Sequence, residues 1–319
     1  MTADAGPRRT TAPGPAGPFR VHPPLLRRGD TVALVAPAGP VDAPRAAAAR
    51  ELLENWGLRV RITPRLLGVH RAYLAGTDDE RLADFTEAWL DPAVRAVVCA
   101  RGGYGTQRTV DRLDYRALAG AGPKFLVGSS DITCLHEALG ERLGLVTLHA
   151  PMPAGRPLHE DAPTADHLHA ALFGPSPRSL PLTGPVLVAG RAAGPLTGGN
   201  LTMLAASAGT STPPRTEGRV LLLEDVGEDP YRLDRTLTQL RRTGALHRAA
   251  AVVLGDFTGC GPPEQVAAVL RDRLADIGVP VAAGLPAGHG PRQLTVPLGA
   301  EAVLDTALHR ITLLERPPQ

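Results

Sequence analysis

Aromatic residues make up only 3% of the 319-residue chain, with two Trp, four Tyr and five Phe. That is too few for the stacking surfaces on which proteins hold unpaired bases. Charge of one sign is also missing. The 34 Lys and Arg face 32 Asp and Glu, mixed along the sequence, and the formal charge of +2 leaves no electrostatic footprint for nucleic acid. No apolar run approaches the ~20 residues of a membrane span, which argues against a membrane partner. Cysteine is scarce: Cys99, Cys134 and Cys260 are odd in number and lack metal or redox spacing, so reduced thiols in a cytoplasmic setting are expected. Cys134 falls on an apolar helical face and reads as buried packing rather than as a nucleophile.

What the chain does have is 43% hydrophobic residues in short runs separated by helical patterns, enough for a substantial core and two domains. Residues 1–24, rich in Pro, Gly, Ala and Arg with no apolar h-region, read as a disordered tail rather than a secretory signal. Thr31–Gly39 is a buried strand closing in a Pro/Gly loop, Val41–Gly57 an Ala-rich helix and Leu58–Thr63 a second strand. A helix is expected from Thr77, with Glu80 completing a capping box. Strands follow at Val94–Ala100, Lys124–Gly128 and Leu145–His149, and a helix at Thr164–Phe173. Strands alternating with helices predict an α/β fold with a parallel sheet, whose ligands gather at the carboxyl ends of strands. His167 and His169 lie on opposite sides of the last helix, poor ligand geometry, and read as a solvated face. Residues 25–173 are thus an N-terminal α/β domain and 174–190 a linker. Residues 191–319, with a glycine-rich turn at Gly194–Asn200, helices at Tyr231–Arg242 and Pro263–Asp276, and antiparallel β at the end, form a mixed, β-rich α/β domain.

Three strand ends carry chemistry. Gly128-Ser129-Ser130-Asp131 sits between an apolar strand and the helical spacing of Ile132, Leu135 and Leu139. Such a turn lifts Ser130 out of the sheet beside free helix N–H groups, as a nucleophile requires. It departs from the G-x-S-x-G elbow, because Ile132 replaces the second glycine, and taken alone such a turn is more often a helix cap. Glu224 and Asp225 end the run Arg219–Val226, where burial is costly unless the acids find partners; capping of the next helix is the other reading. His289 is the only one of ten histidines with glycine on both sides. The Arg101–Gln107 loop, with three glycines, suits oxyanion donors or a plain tight turn, and fits no nucleotide-binding fingerprint. Serine, acid and histidine in that chain order supply a nucleophile, an orienting carboxylate and a base.

Gly128–Thr133, Arg101–Gly105, Gly198–Leu201, Leu223–Arg232 and Gly284–Gly290 together resemble the L,D-carboxypeptidase family of serine peptidases, which also contains the microcin-immunity hydrolases. The likeness runs from about Leu25 to Leu314. The family usually has an aromatic residue before its nucleophile, where this chain has Ser129. The resemblance implies Ser130 as nucleophile, Glu224 as acid, His289 as base, and oxyanion N–H groups from Gly103 and Asp131. It implies an N-terminal flavodoxin-like or class I amidotransferase-like domain, a β-rich second domain, and a triad assembled across the cleft between them. It further implies cytoplasmic release of terminal D-alanine from murein tetrapeptide by a homodimer, with neither metal nor cofactor. Arg101, Asn200 and Arg232 are candidates for holding substrate, the two arginines by a fork-shaped grip on the terminal carboxylate or, equally, as structural ion-pair partners. One rival is a microcin-immunity-type amidase acting on peptidyl or aminoacyl nucleotide analogues, which needs an aromatic shelf that Trp56 and Trp89, both on expected helices, do not offer. Another is a non-catalytic peptide or sugar sensor, disfavoured because all three triad residue types are present.

Overall fold

The structure, a computed structural model, describes residues 20–175 and 177–314. Most of the tail expected at 1–24 lies outside the described residues, but from Arg20 the chain is tied in. Val21 N–H donates to Gly144 O at 2.8 Å and Val146 N–H to Val21 O at 2.9 Å.

Five strands come first: β1 (Thr31–Val35), β2 (Arg59–Ile62), β3 (Val94–Cys99), β4 (Phe125–Gly128) and β5 (Thr147–His149). They pair in parallel in the order β2-β1-β3-β4-β5. Because side chains alternate along a strand, each strand feeds two cores. Val32, Leu34, Ala96, Val98, Phe125 and Val127 pack under helices Ala43–Asn55 and Ala162–Phe173. Ala33, Val35, Val97, Cys99 and Leu126 face helices Asp78–Leu90 and Thr133–Leu143 on the other side. The helix expected from Thr77 has its Thr77–Glu80 capping box. His167 and His169 are not solvated as expected. His167 Nδ1 accepts from Thr295 N–H at 3.1 Å, and the His169 ring lies 5.4 Å from Trp56 and 4.4 Å from Phe173.

The second part of the chain adds β6 (Ser179–Pro181), β7 (Val186–Val188), β8 (Arg191–Asn200), β9 (Val220–Val226), β10 (Ala251–Thr258), β11 (Val281–Ala283), β12 (Val296–Leu298), β13 (Glu301–Asp305) and β14 (Arg310–Leu313). Eight of these form a mixed sheet, β6-β14-β13-β8-β9-β10-β11-β7. Residues 174–190 therefore carry two of its strands and are no spacer. Helix Pro230–Arg242 buries Leu233, Leu237 and Leu240 against it.

Two expectations change. β12 leaves the second sheet and pairs antiparallel with β5 of the first; local alternation marks a strand but not the edge it joins. Gly194–Asn200 is a strand rather than a turn. Its glycines serve close approach: a Cβ at Gly194 would stand 2.1 Å from Gly218 O, and one at Gly198, where φ is +105°, 2.1 Å from Leu222 O. Glycine inside a strand commonly marks such contact. Gly198→Ala must therefore push β8 off β9, and urea unfolding should show a loss above ~4 kcal/mol, the range reserved for core disruption. A loss under ~1 kcal/mol would contradict this packing.

Candidate active site

Ser130 follows the carboxyl end of β4 with φ at +62°, one of four non-glycine residues in the left-handed region among those described. A side chain held there signals strain that the surroundings must impose. Ser129, in extended backbone, is 3% exposed, whereas Ser130 is half-buried, so Ser130 is the more accessible of the two serines. Its hydroxyl has no hydrogen-bond partner among the described residues. A Cβ on Gly102 would lie 3.2 Å from Ser130 Oγ, so only glycine lets that loop pass.

Gly103 and Asp131 are the expected oxyanion donors. Gly102 O accepts from Gly39 N–H at 2.9 Å; in a trans peptide the next N–H points the opposite way, which turns Gly103 N–H away from Gly39. Among the described residues nothing accepts from Gly103 N–H or Asp131 N–H. The Asp131 side chain braces the loop instead. Its Oδ2 accepts from Thr106 N–H at 2.8 Å, and its backbone oxygen accepts from Thr106 Oγ1 at 2.6 Å. Burial raises the Asp131 carboxyl, with the Thr106 bonds opposing. Arg81, 2% exposed, donates to Pro37 O at 2.6 Å and Gly105 O at 2.9 Å, stapling two strand-end loops together.

Glu224 and His289 meet. Glu224 is fully buried on β9, and its Oε2 lies 2.7 Å from His289 Nδ1. Its Oε1 has no partner among the described residues. Burial pushes the Glu224 carboxyl up, partly offset by the His289 hydrogen bond. Burial pulls the His289 imidazole down, but the bond and charge of Glu224, with Asp225 and Asp256, outweigh it and leave it above its ordinary value. Gly288, at φ +128°, is required because a Cβ there would stand 2.6 Å from Glu224 Oε2. His289 also lies toward the sheet that carries Ser130. His149, paired in register with Gly128, is pushed down to about 3 by burial and by the charges of His136 and His289.

The other candidates separate. Asn200 is 4% exposed; its Nδ2 donates to Asp225 Oδ1 at 2.9 Å and its Oδ1 accepts from Met203 N–H at 3.1 Å. It caps a helix and holds an acid, with one Nδ2–H left over. Arg232 lies within 3.7 Å of Glu228 and Asp229, the structural ion-pair alternative. Arg101, exposed, donates to Pro40 O at 2.7 Å and adjoins Gly102. Cys134 is buried, Sγ 3.4 Å from Ser207 Oγ, its thiol pushed up to about 12 by burial. Trp89 is buried in the core and Trp56 packs on His169. Tyr73 and Tyr104, 48% and 43% exposed with rings 6.0 Å apart, stand beside Gly103, an aromatic surface that the tryptophan count missed.

Sequence reasoning passed over Asp256, His136 and Glu137. Asp256 carried the signal that singled out Glu224, an acid ending an apolar run. His136 had none, since its partners come from other strands: Nδ1 lies 2.8 Å from Thr147 Oγ1 and Nε2 2.8 Å from Gly128 O. Gly128 O can only accept, so Nε2 carries the proton and Nδ1 accepts. Burial holds this imidazole down at about 4, below its unfolded value, so its contribution is complete above pH ~6.5 and is lost as pH falls toward 4, at roughly 1.4 kcal/mol per unit. Urea unfolding between pH 7.5 and 4.5 should therefore show the gap between wild type and His136→Gln closing toward acid; a gap independent of pH would refute the buried neutral imidazole.

Residues 32–150 match the LD-carboxypeptidase N-terminal domain and residues 193–304 the LD-carboxypeptidase C-terminal domain. A protein of Streptomyces coelicolor is 49% identical over 93% of this chain and 97% of its own length. The murein tetrapeptide carboxypeptidase of Pseudomonas aeruginosa is 38% identical over 86% and 92%. Among solved structures, muramoyltetrapeptide carboxypeptidase from Oxalobacter formigenes superposes with a TM-score of 0.79 at 32% identity, covering 90% of this chain and all of that one. The microcin C7 self-immunity protein MccF shares the fold, with a TM-score of 0.83 at 23% identity over 95% of this chain and all of that one. On sequence and on architecture alike, the chain belongs to the LD-carboxypeptidase family.

Proposed function

We propose that this protein is a serine L,D-carboxypeptidase that releases terminal D-alanine from murein tetrapeptide. The observation that carries the reading is the buried Glu224 bonded to His289 Nδ1 at 2.7 Å, the arrangement that fixes the other ring nitrogen as a base. Ser130, strained and half-buried at the end of β4, is the nucleophile, contributed by the unit of residues 25–173; acid and base come from residues 191–319.

The chemistry follows from these roles. With Nδ1–H donated to Glu224, the Nε2 lone pair takes the Ser130 proton as Oγ attacks the carbonyl before D-alanine. Contacts of this kind tighten when substrate is bound. Gly103 and Asp131 N–H groups receive the oxyanion. The imidazolium, stabilised by Glu224, returns its proton to the leaving amine. A water activated by Nε2 then cleaves the ester and frees Ser130. Arg101 supplies the grip on the terminal carboxylate. Buried, unpaired Cys99, Cys134 and Cys260 fit a cytoplasmic setting, where the family resemblance also places a homodimer. Among the described residues no helix is long and apolar enough to cross a membrane.

A second reading has one observation in its favour. The exposed Tyr73–Tyr104 pair offers the aromatic shelf that a nucleotide analogue would need, so an amidase acting on aminoacyl nucleotides is the alternative.

Purified protein should release D-alanine from murein tetrapeptide with a chelator present, and Ser130→Ala should lower the rate on the order of 10⁶-fold. Gly288→Ala, which drives a methyl group into Glu224, should cost ~10²-fold in kcat, as misplacement of a catalytic group does. kcat/KM should rise with pH through a midpoint above that of an ordinary imidazole, since His289 acts only when Nε2 is unprotonated. Folded protein that releases no D-alanine, but cleaves an aminoacyl sulfamoyl nucleoside, would transfer the assignment to the second reading.

A further inference from the structure

We propose that Asp256 is a positioning residue for the base, clamping the loop that carries His289 at both ends and setting a negative charge beside the imidazole. The proposal rests on His289 being the base of the reaction above. Asp256 N–H donates to Ala287 O at 2.9 Å, and Asp256 Oδ2 accepts from Gly290 N–H at 3.2 Å. The imidazole therefore hangs from a four-residue span, 287–290, anchored on one residue.

Asp256 reaches both anchors because β10 is irregular there. Its register with β9 shifts between Leu254 and Phe257, and such bulges re-aim side chains next to active sites. The two backbones meet through glycines. A Cβ at Gly255 would lie 2.3 Å from Ala287 O and 3.1 Å from Glu224 Cβ, and one at Gly290 would lie 2.6 Å from Asp256 Oδ2. Glycine at both contacts lets strand and loop close to hydrogen-bonding distance, with Glu224 on the same side.

The groups facing the imidazole are Glu224 and Asp225 from β9, Asp256 from β10 and His149 from β5. Those facing the Asp256 carboxylate are His289 and Glu224. Burial pushes Asp256 up to about 6, with the Gly290 bond and His289 opposing. Its charge thus appears below the midpoint of the base, and is in place when the base loses its proton. A negative charge there favours the imidazolium that forms when Ser130 is deprotonated.

Asp256→Asn separates charge from clamp, because an amide oxygen still accepts from Gly290 N–H. The His289 ring is followed by NMR in the full chain, in both the wild type and Asp256→Asn, alongside D-alanine release. The wild-type His289 curve should show a second, smaller inflection near pH 6, where Asp256 ionises. In Asp256→Asn that inflection should vanish and the main midpoint should fall by about half a unit to one unit, as expected for loss of one nearby charge. The acid limb of kcat/KM should move with it while KM holds within about twofold. Asp256→Ala, which also frees the Gly290 end of the loop, should lower kcat a further ~10-fold or more. An unchanged His289 midpoint in Asp256→Asn, or a wild-type curve with a single inflection should the variant not fold, would overturn the proposal. Failure of the triad reading is distinct: Ser130→Ala and Glu224→Gln would then leave turnover intact, whatever Asp256 does.

Discussion

Glu137 lies one turn beyond Thr133 on the helix that follows Ser130, 9% exposed, and it cannot be left there without partners. Its Oε1 takes Thr197 Oγ1 at 2.9 Å and Gly198 N–H at 3.3 Å, and its Oε2 takes Arg215 N–H at 3.2 Å. Thr133 Oγ1 accepts from Asn200 N–H at 3.1 Å. A buried carboxylate with its oxygens answered by fixed donors leaves little freedom to slide, since each donor lost would cost the desolvation of a charged group. Through these bonds, the helix Thr133–Leu143 that follows Ser130 is keyed to β8 of the other sheet. β8 pairs with β9, and the register Asn200↔Glu224 carries the constraint to the acid. Serine and acid belong to different sheets, yet their relative placement is set by one helix and two hydrogen-bonding side chains.

The acids at the end of the second sheet show how burial sorts residues of one type. Asp225, 2% exposed, is met by Asn200 Nδ2, Thr202 N–H and Oγ1, and Val226 N–H. Glu224 beside it receives His289 alone, and its second oxygen stays unpartnered among the described residues. A carboxylate saturated by donors is a structural fixture, whereas one left short stabilises whatever cation appears next to it. Catalysis asks for the second kind, because imidazolium forms and disappears within each turnover. Asp256, half-buried and holding only Gly290 N–H among the described residues, stands between the two.

Loops at the strand ends are stiff for the same reason. Arg81 and Asp131 take backbone groups of the Gly102–Thr106 segment, and His136 holds Gly128 O immediately before the nucleophile turn. Backbone donors can stabilise an oxyanion only if they do not reorganise during the reaction. The polar side chains around them supply that rigidity.

Chain order and local pattern determined a good deal. Apolar runs alternating with helical spacing gave the parallel sheet, the Thr77–Glu80 capping box placed a helix start, and leucines at 233, 237 and 240 gave a buried face, because period and capping are local properties. Ser130, Glu224 and His289 were legible as strand-end residues with suitable chemistry. Tertiary structure decided what depends on contacts far apart in sequence. β12 crossing to the first sheet, the glycines of β8 set for contact rather than for turning, and Asn200 turning inward all follow from backbones meeting across sheets. The pairing of Glu224 with His289, 65 residues apart, is of the same kind. A sequence can specify a carboxylate and an imidazole, but only packing can desolvate one and bring the other to it.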